Sequence, residues 1–193
     1  MCLLKRRWQL TFSVCLSDTS SFGTFNVANP KDIQLLQQQN YTLSAPGTVP
    51  ERQDAPHLHD AVLDPTKQFI LVPDLGADLL RVFKVDGSAA SASAVTSVKA
   101  VAGSGPRHAA FAKSGDKTFL YTVNELSNSI TGYSVVYKAD GAPEFTSLFT
   151  IPTHGPGGTV PAGTKSAEIE VSVGFFSPPL IPLHLRISAE HDH

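Results

Sequence analysis

The apolar and polar positions of this chain fall into one pattern that occurs twice. Residues 59–85 (HDAVLDPTKQFILVPDLGADLLRVFKV) and 107–135 (RHAAFAKSGDKTFLYTVNELSNSITGYSV) each read as apolar strand, turn, apolar strand, polar turn and third strand. The copies align at a spacing of 48 residues up to Leu63 and Phe111, and at 50 residues from Phe69 and Phe119. A period near 50 in a strand-rich chain predicts propeller blades, small sheets set radially around a channel. One such sheet cannot cover both of its own faces, so each needs a neighbour on either side. The 193 residues leave room for at most about four such units. Only residues 41–172 carry the pattern.

The first full copy predicts an inner strand at 59–63, a tight turn at 64–67, a second strand at 69–73, a polar connection at 74–78 and a third strand at 79–85. The Ala/Ser-rich run 87–97 reads as an exposed loop and 98–102 as an outer edge strand, after which Gly103-Ser104-Gly105-Pro106 turns the chain back. The second copy predicts strands at 107–112, 118–124, 129–137 and 144–149. A Gly/Pro loop at 154–163 then leads to a further inner strand at 166–172, where Ala167 takes the position held by His59 and Arg107.

The two ends read differently. Residues 1–40, with Pro30, a Gln37-Gln38-Gln39 run and no sustained periodicity, read as a poorly specified leader, with one outer strand possible at 22–27. The basic run 5–7 and the apolar stretch 8–16 only faintly resemble a signal peptide, because polar residues interrupt the apolar part and no small-x-small cleavage site follows closely. Residues 173–193 read as a Pro-rich tail foreign to the repeat, of the kind that translation through an unremoved intron would give. Pro178, Pro179 and Pro182 lack the backbone donors that a central strand needs.

Composition narrows the function classes. The chain is 41% hydrophobic and 17% charged, with a formal charge of −2 and no basic stripe to neutralise phosphates, so no nucleic-acid partner is expected. No segment approaches 18 uninterrupted apolar residues, so no membrane-spanning helix is expected. Both cysteines, Cys2 and Cys15, lie outside the repeat, which suits a reducing compartment and a cytoplasmic location. His57-x-His59 has no nearby Cys or carboxylate partners of metal-ligand spacing, so neither a metal nor another cofactor is expected.

The candidate chemistry lies where strands enter and leave the channel mouth. His59 and Arg107 open inner strands one blade apart, and Glu125 follows the second strand of the same blade as Arg107. A titratable base, a permanent cation and a carboxylate are thus expected to face one pocket. His57 reads as structural, and His108 as facing away from Arg107 across its strand. Asp74 and Asp78 read as turn-formers, and Glu168 and Glu170 as surface charges.

Four segments in order, PERQDAPHLH at 50–59, VPDLGAD at 72–78, GSGPRH at 103–108 and VNEL at 123–126, resemble the seven-bladed β-propeller lactonases, which group 6-phosphogluconolactonases with fungal carboxymuconate cyclases. The wording is closest to the fungal members, and the resemblance covers about residues 41–172. It implies an all-β fold, a partial (open) β-propeller of about three blades from a seven-bladed parent. It also puts His59, Arg107 and Glu125 on active-site positions. A further arginine, implied shortly after 166–172, has no counterpart, and Leu58 stands where many relatives have proline.

The implied activity is hydrolysis of a sugar-acid or muconate lactone. His59 would take a proton from water, Glu125 would orient the imidazole, and Arg107 would meet the substrate anion or the developing oxyanion. The same groups run in reverse would close a carboxylate onto a double bond, so hydrolysis and cycloisomerisation share residues. Loss of blades predicts an open mouth and impaired activity. A binding module or an inactive fragment stands as the alternative, with exposed blade edges prone to self-association.

Overall fold

The computed structural model describes residues 2–6, 9–16, 20–86, 91–138, 141–155, 157–172 and 184–191. Among them every regular element is a strand. The first sheet joins β1 (Cys2–Arg6), β2 (Gln9–Leu16), β3 (Ser21–Asn26) and β4 (Gln34–Asn40). The second joins β5 (Val62–Leu63), β6 (Phe69–Asp74), β7 (Leu79–Asp86) and β8 (Ser91–Lys99), and the third β9 (Pro106–Ser114), β10 (Lys117–Asn124), β11 (Ser129–Val136) and β12 (Glu144–Pro152). A two-stranded sheet, β13 (Thr164–Ser172) with β14 (His184–His191), follows. Each sheet is an antiparallel meander in chain order, and together they form an open, partial propeller. We call them blades one to four. No helix of the described residues is long and apolar enough to cross a membrane.

Blade two shows why the apolar runs take this form. Every residue of β6 is buried, because its two faces meet two different neighbours. Ile70 and Val72 join Phe22, Leu58 and Phe83 against blade one, and Phe22 stacks on Phe83 with ring centroids 4.5 Å apart. Phe69 and Leu71 join Leu120, Tyr133 and Val135 of blade three. Blade three meets blade four through Val123, Ile130 and Ile169. In blade four β13 packs against β9 and β10, and Leu148, Phe149 and Ile151 of β12 stay exposed.

Successive blades are joined by a repeated latch. Asp78 sits at φ 50° in the β6–β7 turn, and its carboxylate accepts the N–H groups of Gly103 (2.7 Å) and Gly105 (2.8 Å) in the loop entering blade three. One blade later, Asn128 at φ 47° accepts Ser166 N–H (2.8 Å) and donates to the Thr164 carbonyl (2.9 Å) at the entry to blade four. Gly105 itself has a φ of +62°, and a Cβ there would come within 2.5 Å of Leu126. Only glycine suits that position. Asp78 is therefore more than the turn-former expected from sequence.

Several elements differ from the sequence reading. The run expected to be a loop at 87–97 contributes β8 from Ser91 onward, while 87–90 lies outside the described residues, and the edge strand expected at 98–102 ends at Lys99. Small Ala and Ser side chains gave no apolar signal there, yet the Ala92 N–H and C=O are held by Gln37 (2.9 Å) and Gln39 (2.7 Å) of β4. The same glutamines explain the stretch expected to be a weakly specified leader. β4 is an exposed outer strand whose amides clasp the next blade, so it needs no apolar alternation. Of the tail, 173–183 lies outside the described residues, and 184–191 supplies β14, the partner strand the sequence was not expected to provide. Leu185 and Ile187 place its apolar alternation opposite Val171 and Ile169. The inner strand expected at 59–63 is reduced to Val62–Leu63 plus a single bridge from Leu58 to Asp74.

Candidate functional site

A one-residue slip recurs where each inner strand of blades two to four begins. Val123 pairs with His108 and Asn124 with Pro106, which leaves Arg107 as the extra residue of a β-bulge. Ala167 is skipped in the same way between Ser166 and Glu168. The register also advances between the Leu58–Asp74 bridge and the Val62–Leu71 pair, the interval that holds His59. A bulge re-aims the side chains beside it. Arg107 and His108 are therefore not on opposite faces as strict alternation predicts, and the Arg107 Nη1 and His108 Nε2 atoms lie 3.3 Å apart.

The loop held by Asp78 positions two site residues together. Pro106 starts β9 and delivers Arg107, while Gly105 C=O accepts the N–H of Glu125 (2.8 Å) and Ser104 C=O that of Leu126 (3.1 Å). Arg107 Nε and Glu125 Oε2 consequently meet at 2.9 Å, with Glu125 nearly buried. Arg107 Nη1 also donates to the Ala167 carbonyl of blade four at 2.8 Å. On blade two, His59 is set by its N–H to Pro73 C=O (3.1 Å) beside fully buried Leu58.

A second guanidinium, not singled out from sequence, completes the cluster. Arg52, in the loop between β4 and β5, brings Nη2 to 2.6 Å from Glu125 Oε1. Glu125 thus sits between two arginines. Its ion pairs, among the described residues, are with these arginines and not with His59, which corrects the expectation that it orients the imidazole. The only sequence signal for Arg52 was its place in the PERQ segment, since loop residues carry no periodicity to mark a face.

The surrounding charges set the state of His59. Burial first, then the charges of Arg107, His108, His57 and Arg52, push its pKa down to about 4. The imidazole is therefore neutral at pH 7. His57 takes the structural place expected of it: its N–H donates to Asp74 (2.9 Å) and its Nε2 lies 3.0 Å from Asp54, whose carboxyl this contact holds below the usual range. Buried Asp74 binds Arg81 at 2.7 Å, and Arg81 lies 4.1 Å over the Tyr41 ring. Glu168 is the surface charge expected, about half exposed, and its carboxylate also meets His108 Nδ1 at 2.7 Å. Glu170 is exposed.

The arrangement presents a neutral imidazole beside two guanidiniums, a combination suited to an anionic ester and a proton transfer. Among the described residues no group of three or more His, Cys, Asp or Glu could hold a metal ion. A groove of about 610 Å³ lies elsewhere, at the far end of blade three beside Phe119, Val136 and Leu148.

The chain is 45% identical over 116 residues to a probable 6-phosphogluconolactonase of Arthroderma benhamiae, covering 58% of this chain and 29% of that protein. It is 31% identical over 99 residues to a 6-phosphogluconolactonase of Formosa agariphila, covering 50% of this chain and 28% of the other. The chain therefore spans less than a third of the length of these curated relatives. A solved structure of a Lactobacillus plantarum protein matches 94% of this chain and 48% of its own, with a TM-score of 0.73 at 25% identity. A periplasmic gluconolactonase of Pseudomonas aeruginosa shares the fold at a TM-score of 0.64 and 24% identity, covering 85% of this chain and 44% of its own. The profile of the family described as lactonase, 7-bladed beta-propeller, matches residues 17–176. By that match, with the blades and their order, the chain belongs to the seven-bladed β-propeller lactonase family.

Proposed function

We propose that the chain carries part of the active site of a hydrolase that opens a sugar-acid lactone, as the names of its relatives suggest. The observation that carries this reading is the meeting of two blades and a preceding loop: Arg107 and Arg52 share Glu125 at 2.9 and 2.6 Å, and both bear electrostatically on His59. A lactone is a cyclic ester, and its hydrolysis needs an activated water and a stabilised oxyanion. His59 accepts a proton from water as the water oxygen bonds to the carbonyl carbon. The oxyanion that forms is met by a guanidinium. Collapse re-forms the carbonyl and breaks the ring C–O bond, and the imidazolium returns the proton to the leaving ring oxygen. The product is the open hydroxy acid.

The depressed pKa of His59 favours this direction over cyclisation. A proton donor must start protonated, whereas an imidazole that titrates at about 4 starts neutral at pH 7. Among the described residues, blades two and three, the loop of Arg52 and β13 border the site, and the Arg52 side chain is 35% exposed, so water reaches it. We therefore expect the 193-residue chain to turn over slowly, because incomplete exclusion of water weakens each polar contact. The placement of both cysteines outside the repeat is the ground for proposing a cytoplasmic location.

The test is a pH-stat assay of 6-phosphogluconolactone opening by the full chain. His59→Ala and Arg107→Ala should each bring the rate to the uncatalysed background. Rates equal to that of the parent chain would remove the reading.

A further inference from the structure

Arg52 differs from Arg107 in what remains for a ligand to use. The Arg107 side chain is 14% exposed and bound to both Glu125 and the Ala167 carbonyl, whereas that of Arg52 is 35% exposed and meets Glu125 through one nitrogen. The backbone beneath it is rigidly held. Arg52 N–H donates to Val49 C=O at 2.9 Å, and the next residue, Gln53, is fully buried, with its amide accepting Val49 N–H (3.0 Å) and donating to Leu75 C=O (2.9 Å). The only carboxylate paired to Arg52 among the described residues, Glu125, is shared with a second guanidinium, so its single charge does not neutralise both. Of the further carboxylates nearby, Glu168 is engaged by His108 and Asp60 by the Ala109 N–H.

We infer that Arg52 is a substrate-binding residue that receives the anionic arm of the substrate, a phosphate or carboxylate remote from the ring ester, while Glu125 holds its Nη2 in place. A planar guanidinium fixed at one corner keeps further N–H groups for an oxyanion. The guanidiniums near His59 support the assignment: the imidazole experiences Arg107 and Arg52 together, a field that favours an anion nearby. An arriving phosphate offsets that field, so His59 becomes a stronger base when the site is filled. The choice of ligand rests on the lactonase reading. The binding role of Arg52 does not.

The experiment uses the full chain and two stable probes, glucose 6-phosphate and glucose, followed by the His59 imidazole signal in NMR titrations of the parent, Arg52→Gln and Arg52→Lys. The parent should bind glucose 6-phosphate with an upward shift of the His59 titration midpoint. Arg52→Gln should weaken binding roughly tenfold or more, the factor that one lost charge-assisted hydrogen bond supplies. Arg52→Lys should recover part of it. In parallel, Arg52→Gln should cost KM for phosphorylated gluconolactone at least ten times more than for uncharged gluconolactone. Equal losses on both lactones would reduce Arg52 to a prop for Glu125 and overturn the inference. So would unaltered binding in Arg52→Gln, or no binding by the parent. If the parent opens neither lactone yet binds glucose 6-phosphate through Arg52, the lactonase reading falls and the anion site stands.

Discussion

Acid should destabilise this fold partly through one imidazole. His59 titrates at about 4 in the folded chain against an ordinary 6.5, so between those values the unfolded chain holds the proton that the folded chain refuses. Stability therefore falls as pH drops through that window, and the contribution is fully lost below about 4. Each pH unit of the gap is worth about 1.4 kcal/mol, which sets an upper bound near 3 kcal/mol. Partial solvent access lowers the realistic figure to about 2 kcal/mol. The assay is urea unfolding followed by circular dichroism at pH 7 and pH 4, for the parent and for His59→Gln. The variant should lose about 2 kcal/mol less than the parent between the two conditions. Removing a charge that bears on the ring, as in Arg107→Gln, should move the NMR titration midpoint of His59 upward. Equal acid losses in parent and His59→Gln, with a His59 midpoint near 6.5, would refute the claim that burial and neighbouring cations set the protonation state of the site.

Three further outcomes follow from other contacts. Asp78→Ala should destabilise the chain by about 2 kcal/mol or more in the same urea assay, because two loop N–H groups lose a charged acceptor. Phe83→Ala should cost about 3–5 kcal/mol, as it removes a fully buried ring stacked on Phe22 between blades one and two. Replacing Leu148 and Ile151, which are 52% and 47% exposed, by lysine should lower concentration-dependent association in sedimentation velocity and leave the circular dichroism spectrum unchanged.

What could be read from the sequence was whatever depends on sandwiched strands. β6, β7, β10 and β11 were legible because cores on both sides demand apolar residues at every second position or at all of them. Most of β8 and all of β4 were not, since residues 91–94 of the one are Ser and Ala and the other is rich in Gln, and both bond through backbone and amide groups that leave no hydropathy trace. In the site, blade spacing pointed to His59, Arg107 and Glu125, and the structure brings Arg107 and Glu125 into contact with each other, while the charge of Arg107 bears on His59. The bulge at Arg107 was invisible, because a register slip changes no residue, and it alone brings His108 alongside. Arg52 was missed because a long-range ion pair from a loop has no period to betray it.

The latch at Asp78 and Asn128 addresses mainly peptide groups of the segment it grips, with a serine hydroxyl, that of Ser166, adding a bond to Asn128 at 3.0 Å. Recognition of that kind asks little of what comes next beyond a glycine or a serine at the gripped turn. A unit can therefore be copied, deleted or exchanged without a matching change in its successor, provided the incoming loop offers the same amide or carbonyl. The blade becomes an interchangeable part, and the count of parts is left to ring geometry.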